Sequence, residues 1–272
     1  MLVQRYERAV LSNNKTLINL ISTEIKSEIP RMRPIELVNV AKLSRSESLT
    51  HAILAECKRR KYEKFKSQDF AALVSVGAKS DDFRNAVSIN IQSMRTSDLC
   101  FVLWKLNAQT MSELGLKELE SRDLTRLTQT NLTQLLRVMA CARSAIPLAL
   151  VDSVVSIWIN LMPTIDNKAF PFVLYSLAEM VSKQRFESSS KRLDDFFALA
   201  NSELVRRTDM ECVDVIDSVR ALGRIRRLER EVFESRLVCD TLDKVDVNSL
   251  SEVRRKGIQN AAVSVGISSF SF

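Results

Sequence analysis

One apolar pattern recurs along the chain, and its spacing restricts the possible folds more than any single residue does. Apolar side chains lie at offsets of 0, 3, 4 and 7 residues, which places them on one face of an α-helix. Successive early copies begin 29 to 42 residues apart. A helical pattern that returns at this interval is typical of stacked helix pairs. The copies are Leu37-Val40-Ala41, Phe70-Leu73-Val74, Leu99-Val102-Leu103-Leu106, Leu132-Leu135-Leu136-Met139, Phe170-Val173-Leu174-Leu177, Cys212-Val215-Ile216-Val219 and a degenerate Leu250-Val253.

A second helix is expected after each copy, so that a pattern helix (helix A) and its follower (helix B) form a pair. The spacing predicts an all-α protein, an α-solenoid of about six to seven antiparallel helix pairs. We expect N-terminal capping helices over 1–30, the solenoid over 31–262 and a tail over 263–272. Five glycines and five prolines in 272 residues agree with long helices and short turns. Helix B is predicted near 48–61, 81–94, 111–119 (broken by Gly115), 147–161, 188–206 and 232–238.

Polar residues just ahead of the pattern predict where the pattern helices begin. Ser67, Ser97 and Thr130 are expected to cap free backbone N–H groups. Asp69 and Asp98 would follow in the first turn, where a negative charge meets the positive end of the helix dipole.

The residue types needed for most catalysis and metal binding are scarce. The only histidine is His51, which argues against histidine-dependent acid–base chemistry. Glycine-rich phosphate-binding motifs are absent, and so are closely spaced cysteine pairs. We therefore predict no catalytic residues, no metal, no cofactor and no enzymatic activity. No run of 18 apolar residues occurs, so no membrane span is expected.

Basic residues cluster near predicted helix ends and suggest an anionic partner, in keeping with the net charge of +7. In stacked pairs, equivalent turns align along one edge, where they can follow a phosphate backbone. The alternative is that each cluster only satisfies the negative C-terminal end of a helix dipole. The candidate RNA-binding residues are Lys58, Arg59, Arg60, Lys61, Lys64, Lys66, Arg206, Arg207, Arg224, Arg226, Arg227, Arg230, Arg254, Arg255 and Lys256.

Aromatic residues beside these clusters raise the question of base stacking. Tyr62 and Phe65 lie within the first cluster and are candidates for stacking on bases. Trp104 and Trp158 fall beside core positions of predicted helices, and we interpret both as packing residues.

Two pattern helices resemble a known repeat class. Residues 98–106 (DLCFVLWKL) and 170–178 (FPFVLYSLA) are similar to the first helix of heptatricopeptide-type repeats in organellar FAST-kinase-like and RAP-domain proteins. The resemblance spans roughly 33–262, although no C-terminal RAP domain follows. It implies a mitochondrial (matrix) location and work on RNA. The implied role is a non-enzymatic, RNA-associated subunit of a large ribonucleoprotein assembly, a divergent mitochondrial ribosome or an RNA editing or processing complex.

A protein scaffold remains the alternative interpretation. A HEAT- or armadillo-like adaptor would bind neighbouring protein subunits without direct RNA contact. At the N-terminus, Arg5, Arg8 and Lys15 weakly resemble a targeting segment, but a plain first helix is the favoured interpretation.

Overall fold

Every regular element in the described part of the chain is a helix, which confirms the all-α prediction. The computed structural model describes residues 2–44, 46–107, 109–183, 190–207, 210–226, 242, 245 and 250–266. Short 3-10 turns at Ile29–Arg31, Ile91–Ser93 and Met162–Thr164 extend three of the helices. The helices are α1 (Leu2–Leu11), α2 (Lys15–Glu28), α3 (Pro34–Leu43), α4 (Glu47–Arg59), α5 (Ser67–Ser75), α6 (Asp81–Asn90), α7 (Thr96–Leu106), α8 (Gln109–Glu120), α9 (Gln129–Cys141), α10 (Leu148–Leu161), α11 (Ala169–Ser182), α12 (Lys191–Arg206), α13 (Cys212–Arg226) and α14 (Glu252–Ser264).

The chain divides into two compact units, Met1–Glu118 and Leu119–Phe272. In the first unit α1 contacts α3, α3 contacts α5, and α5 contacts α7, while α2 contacts α4. In the second unit α9 contacts α11, α11 contacts α13, and α13 contacts α14, while α10 contacts α12. Within each unit, therefore, pattern helices pack on neighbouring pattern helices, and one pair of intervening helices is also in contact, α2 with α4 and α10 with α12.

The predicted apolar faces form the core. All the apolar positions named for the first five copies are at most 5% exposed, which confirms the offsets of 0, 3, 4 and 7. The seventh copy is wrong, because Val253 is 81% exposed. The buried face of α14 uses the same offsets eight residues later, at Ile258, Ala261, Ala262 and Val265.

An additional copy of the pattern lies in α1, which the sequence interpretation treated only as part of a cap. Tyr6, Ala9 and Val10 are buried at offsets of 0, 3 and 4. This copy begins 31 residues before Leu37, within the range of the other intervals. The first two helices thus pack on their neighbours in the same way as the later pairs.

The second helices match their predicted positions with one local correction. Gly115 does not break α8, which is continuous from Gln109 to Glu120. A Cβ atom at this position would lie 2.3 Å from Leu103 Cδ1, so glycine permits close approach of α8 to α7. The helix expected near 232–238 lies outside the described residues, and so do 267–272 of the expected tail.

An arginine at the end of α4 ties this helix to the turn that follows α2. The Arg60 guanidinium donates hydrogen bonds to the carbonyl oxygens of Met32 at 2.6 Å, Pro30 at 3.0 Å and Ile29 at 3.1 Å. These carbonyls belong to or flank the 3-10 turn Ile29–Arg31. Arg60 therefore satisfies carbonyl groups that a helix end leaves without partners.

The same contact recurs in the second unit at the end of α12. Arg207 donates to the carbonyl oxygens of Ile165 at 2.8 Å and Met162 at 3.0 Å, and to Asn167 Oδ1 at 2.8 Å. Its guanidinium carbon also lies 4.4 Å from the centre of the Phe170 ring. Both turns read apolar-Pro-x-apolar, and in each the arginine binds the carbonyls of the two apolar residues. We call this contact the arginine clamp.

We expect Arg207→Ala to lower the free energy of unfolding of the second unit by about 3 kcal/mol, because buried carbonyls lose charged hydrogen-bond donors. Arg207→Lys should recover less than half of this loss, since one ammonium cannot reproduce the forked geometry of guanidinium. Urea unfolding followed by circular dichroism measures both effects. Arg206→Ala, which removes the exposed neighbouring arginine, is the matched control. Equal unfolding midpoints for the two alanine variants would contradict a stabilising clamp.

Candidate nucleic-acid interface

Basic residues occupy the N-cap positions of three neighbouring pattern helices in the first unit. Arg33 precedes α3, Lys66 precedes α5, and Arg95 precedes α7. Each lies four residues before the first apolar position of its copy. Arg33 and Lys66 line one groove, and the Arg95 backbone N–H donates to Ser67 Oγ, so the three positions lie at the same end of adjacent helices.

The acidic residues of the first turns are engaged in hydrogen bonds within the fold. Glu36 accepts from the Arg33 backbone N–H, and Asp69 accepts from the Lys66 backbone N–H, both at 2.8 Å. Asp69 is only 4% exposed. The side chains of Arg33, Lys66 and Arg95 are exposed, and the Arg33 guanidinium also donates to Glu36 Oε1 at 3.0 Å.

The predicted caps of α5, α7 and α9 are wrong by one or two residues. The N-cap residues are Lys66, Arg95 and Thr128, not Ser67, Ser97 and Thr130. Ser67 has a different role, because its hydroxyl donates to Asp98 at 2.7 Å and accepts from the Arg95 backbone N–H at 2.9 Å. It thereby links the first turn of α5 to that of α7.

A groove of about 800 Å³ lies between the turns that precede α3 and α5. Arg31, Arg33, Arg60, Lys64 and Lys66 line it, against the acidic residues Glu63 and Asp69. Lys64 and Lys66 form no ion pair with any described residue. We define the basic edge as Arg31, Arg33, Lys64, Lys66 and Arg95.

The loop that presents Lys64 has an unusual backbone held in place by buried rings. Lys61, Tyr62 and Lys64 have φ angles of 51°, 56° and 64°, in the left-handed region that non-glycine residues seldom occupy. Tyr62 and Phe65 are 4% and 7% exposed, and the Tyr62 ring centre lies 5.3 Å from that of Phe83. The expected stacking of Tyr62 and Phe65 on bases is therefore wrong, because both rings belong to the core.

Other members of the first predicted cluster are paired within the protein. Lys58 Nζ lies 2.9 Å from Asp82, and Arg59 donates to both carboxylate oxygens of Glu56 at 2.6 and 2.7 Å. Arg60 donates to Glu56 Oε1 at 2.7 Å in addition to its clamp. Hydrogen bonds from Arg59, and then Arg60, lower the pKa of the Glu56 carboxyl to about 2, despite its burial.

Among the predicted basic residues of the second unit that the structure describes, two are engaged in contacts within the fold. Arg206 is exposed, and Arg207 forms the clamp described above. Arg224 lies on α13, where its Nη2 donates to Tyr175 Oη at 2.6 Å and its guanidinium lies 4.3 Å from the Tyr175 ring centre. The side chain of Arg226, together with residues Arg227 and Arg230, lies outside the described part of the chain.

The last predicted cluster lies at the N-terminus of its helix. The alternative explanation by the helix dipole requires cations at the C-terminus. Arg254, Arg255 and Lys256 are exposed near the N-terminus of α14, which begins at Glu252. A helix N-terminus is positive, so cations placed there are unfavourable. Helix polarity therefore does not account for these three residues.

The packing predictions for the two tryptophans differ in outcome. Trp158 is fully buried in α10, as expected. Trp104 is half-buried, and Lys105 Nζ lies 4.3 Å from its ring centre.

The His51 side chain is exposed, and its Nε2 atom lies 3.9 Å from Glu47 Oε1.

The described residues form neither a metal-binding cluster nor a membrane-spanning helix. No group of three His, Cys, Asp or Glu side chains there is arranged to hold a metal ion. None of the described helices has both the length and the apolar character needed to span a membrane.

Stability should depend on the charge of Glu56 at low pH. The pKa of this carboxyl is about 2 in the folded protein and has an ordinary value of 4.5. Ionised Glu56 thus stabilises the fold above pH 4.5, and this contribution falls as the pH drops towards 2. We expect Glu56→Gln to cost about 2 kcal/mol at pH 7, and the difference from wild type to shrink below pH 4.5.

The control for this variant is Glu47→Gln on the same helix, whose side chain is 88% exposed. Chemical unfolding between pH 2 and pH 7 measures both proteins. A difference between wild type and Glu56→Gln that is constant with pH would contradict the role of the charge.

Comparison with known proteins finds no family model that matches this chain, and no match among curated proteins.

Proposed function

We propose that this protein is a non-enzymatic, RNA-associated α-solenoid whose basic edge binds the phosphate backbone of RNA. The observation that supports this most directly is the row of cations at equivalent helix N-caps, Arg33, Lys66 and Arg95. A helix N-terminus already attracts anions through its free N–H groups and its dipole. Placing a cation at the same position on three adjacent helices adds to that attraction.

The distribution of charge along the chain supports the same location. Residues 1–118 contain 19 Lys and Arg against 13 Asp and Glu, whereas 119–272 contain 21 against 20. Nearly all of the net charge of +7 therefore belongs to the unit that contains the basic edge. A concentrated positive surface raises both the affinity and the association rate for a polyanion.

The contacts between helices support a solenoid arrangement. Within each unit, pattern helices pack on pattern helices, and α2 contacts α4 while α10 contacts α12. Side-by-side packing of equivalent helices is the arrangement of repeat proteins, which use their extended surfaces for binding.

The setting of this activity rests on the repeat resemblance. The organellar proteins with similar helices imply a mitochondrial ribonucleoprotein assembly, either a divergent ribosome or a complex for RNA editing or processing. Cations that contact phosphates position a protein on RNA without reading its sequence. Such contacts suit a subunit held in place by a larger assembly and its neighbouring proteins.

Replacing Arg33, Lys66 and Arg95 together with alanine should weaken binding to an unstructured oligoribonucleotide. Each lost phosphate contact reduces the slope of log K against log salt by about 0.7. We expect the slope to fall by about 2 and the affinity at low salt to fall at least about tenfold. Fluorescence anisotropy over a salt series measures both quantities.

The matched control removes three exposed lysines of the same unit that lie off the basic edge, Lys15, Lys42 and Lys117. The control variant has the same net charge as the triple variant, so it separates position from total charge. Equal losses of RNA affinity in the two variants would contradict the proposal that the basic edge binds RNA. RNA binding too weak to measure in the wild type would favour the protein-scaffold alternative.

A further inference from the structure

The second unit contains a cavity that the basic edge does not include. It has a volume of about 600 Å³ and lies between α11, α13 and α14. Cavities of this size accommodate small organic ligands. Its wall is fixed by close packing, since a Cβ atom at Gly223 of α13 would lie 2.4 Å from Ser264 Oγ and 3.0 Å from the Ser264 carbonyl oxygen.

One side of the cavity is planar and polarisable. Phe172 and Tyr175, both half-buried, line it from α11. Each ring already has an arginine against one face, and at Phe172 this is Arg137, whose guanidinium carbon lies 4.6 Å from the ring centre. The Arg224 guanidinium is held against the Tyr175 ring, at 4.3 Å from its centre, and is anchored by the hydrogen bond to Tyr175 Oη. Aromatic rings and arginine planes of this kind stack on flat heteroaromatic groups.

The remaining lining combines cations with hydrogen-bond acceptors. Lys168 and Arg220 are exposed cations in the lining, and Asp214 and Asp217 supply carboxylate oxygens. Arg220 is only loosely paired, at 3.8 Å from Asp217. An apolar ligand would leave these charged groups without partners. A simple anion would gain nothing from the carboxylates or the rings.

We propose that this cavity binds a nucleotide, with the base against Phe172 and Tyr175 and the phosphate at Lys168 and Arg220. The carboxylates of Asp214 and Asp217 accept hydrogen bonds from amino or hydroxyl groups of the nucleoside. The ligand is either a free mononucleotide or one unpaired nucleotide of an RNA strand. Because the cavity lies in the second unit, this proposal does not depend on the basic edge.

Burial of the Asp214 carboxyl, together with Glu211 and Asp217, raises its pKa. Lys168 acts in the opposite direction. Carboxyls crowded on one helix face repel each other, and hydrogen-bond donors on a ligand would relieve that repulsion.

The test is calorimetric titration of the full chain with AMP, CMP, GMP and UMP, and with an unstructured oligoribonucleotide. Inorganic phosphate, ribose 5-phosphate and adenosine test the separate parts of the ligand. We expect saturable binding of at least one mononucleotide, or of the oligoribonucleotide alone if the ligand is part of a strand. The fragments should bind at least about tenfold more weakly, since phosphate and ribose 5-phosphate lose base stacking and adenosine loses the charged contacts to phosphate.

Two variants locate the binding. Arg220→Ala and Tyr175→Leu should each weaken it about tenfold or more, while Lys105→Ala, which removes a cation stacked on Trp104 in the first unit, should leave it unchanged. Circular dichroism confirms that each variant is folded. Absence of saturable binding by every nucleotide probe would overturn the proposal, as would ribose 5-phosphate binding as tightly as a nucleotide, or binding that survives both variants. The variant that replaces Arg33, Lys66 and Arg95 should retain mononucleotide binding. This result separates a failure of the cavity proposal from a failure of the basic-edge proposal.

Discussion

The arginine clamp fixes the position of one helix against another in each unit. Apolar faces bring helices together without fixing their position along the axis, because hydrophobic contact is not directional. A guanidinium that donates to two carbonyls of one turn does fix that position. Arg60 and Arg207 do this in different units with the same donor–acceptor pattern. Each clamp sets the end of one helix against the turn that ends the helix two places earlier.

Fixed register has a consequence for the charged surface. Once neighbouring pairs are aligned, equivalent positions of successive pattern helices lie side by side, so a residue type repeated at one position becomes a continuous row. The capping carboxylates of Glu36 and Asp69 are engaged by backbone N–H groups of the same turns. Of the cations of the basic edge, Arg33 also pairs with Glu36 and Arg31 with Glu28, whereas Lys64, Lys66 and Arg95 face solvent.

The sequence predicted the helical class and most of the core, but the charged sites much less well. Burial follows a period of 3.6 residues, so Leu132 or Leu174 can be assigned from spacing alone. Runs of basic residues were a weaker guide to the exposed charge, because local partners such as Glu56 and the carbonyl of Met32 decide which cations remain exposed. Arg31, Arg33 and Arg95 were missed, although the position of Arg33 and Arg95 four residues before their copies was a usable signal. The shifted copy in α14 was hidden because two alanines replace larger apolar residues.

The loop between α4 and α5 combines left-handed backbone at Lys61, Tyr62 and Lys64 with two buried rings. Such a backbone persists only where its surroundings determine it, and Tyr62 and Phe65 provide that determination. Lys61 and Lys64 are therefore presented on a backbone already in its final conformation. A partner that binds there loses little backbone conformational entropy in doing so, so more of the electrostatic attraction remains as affinity.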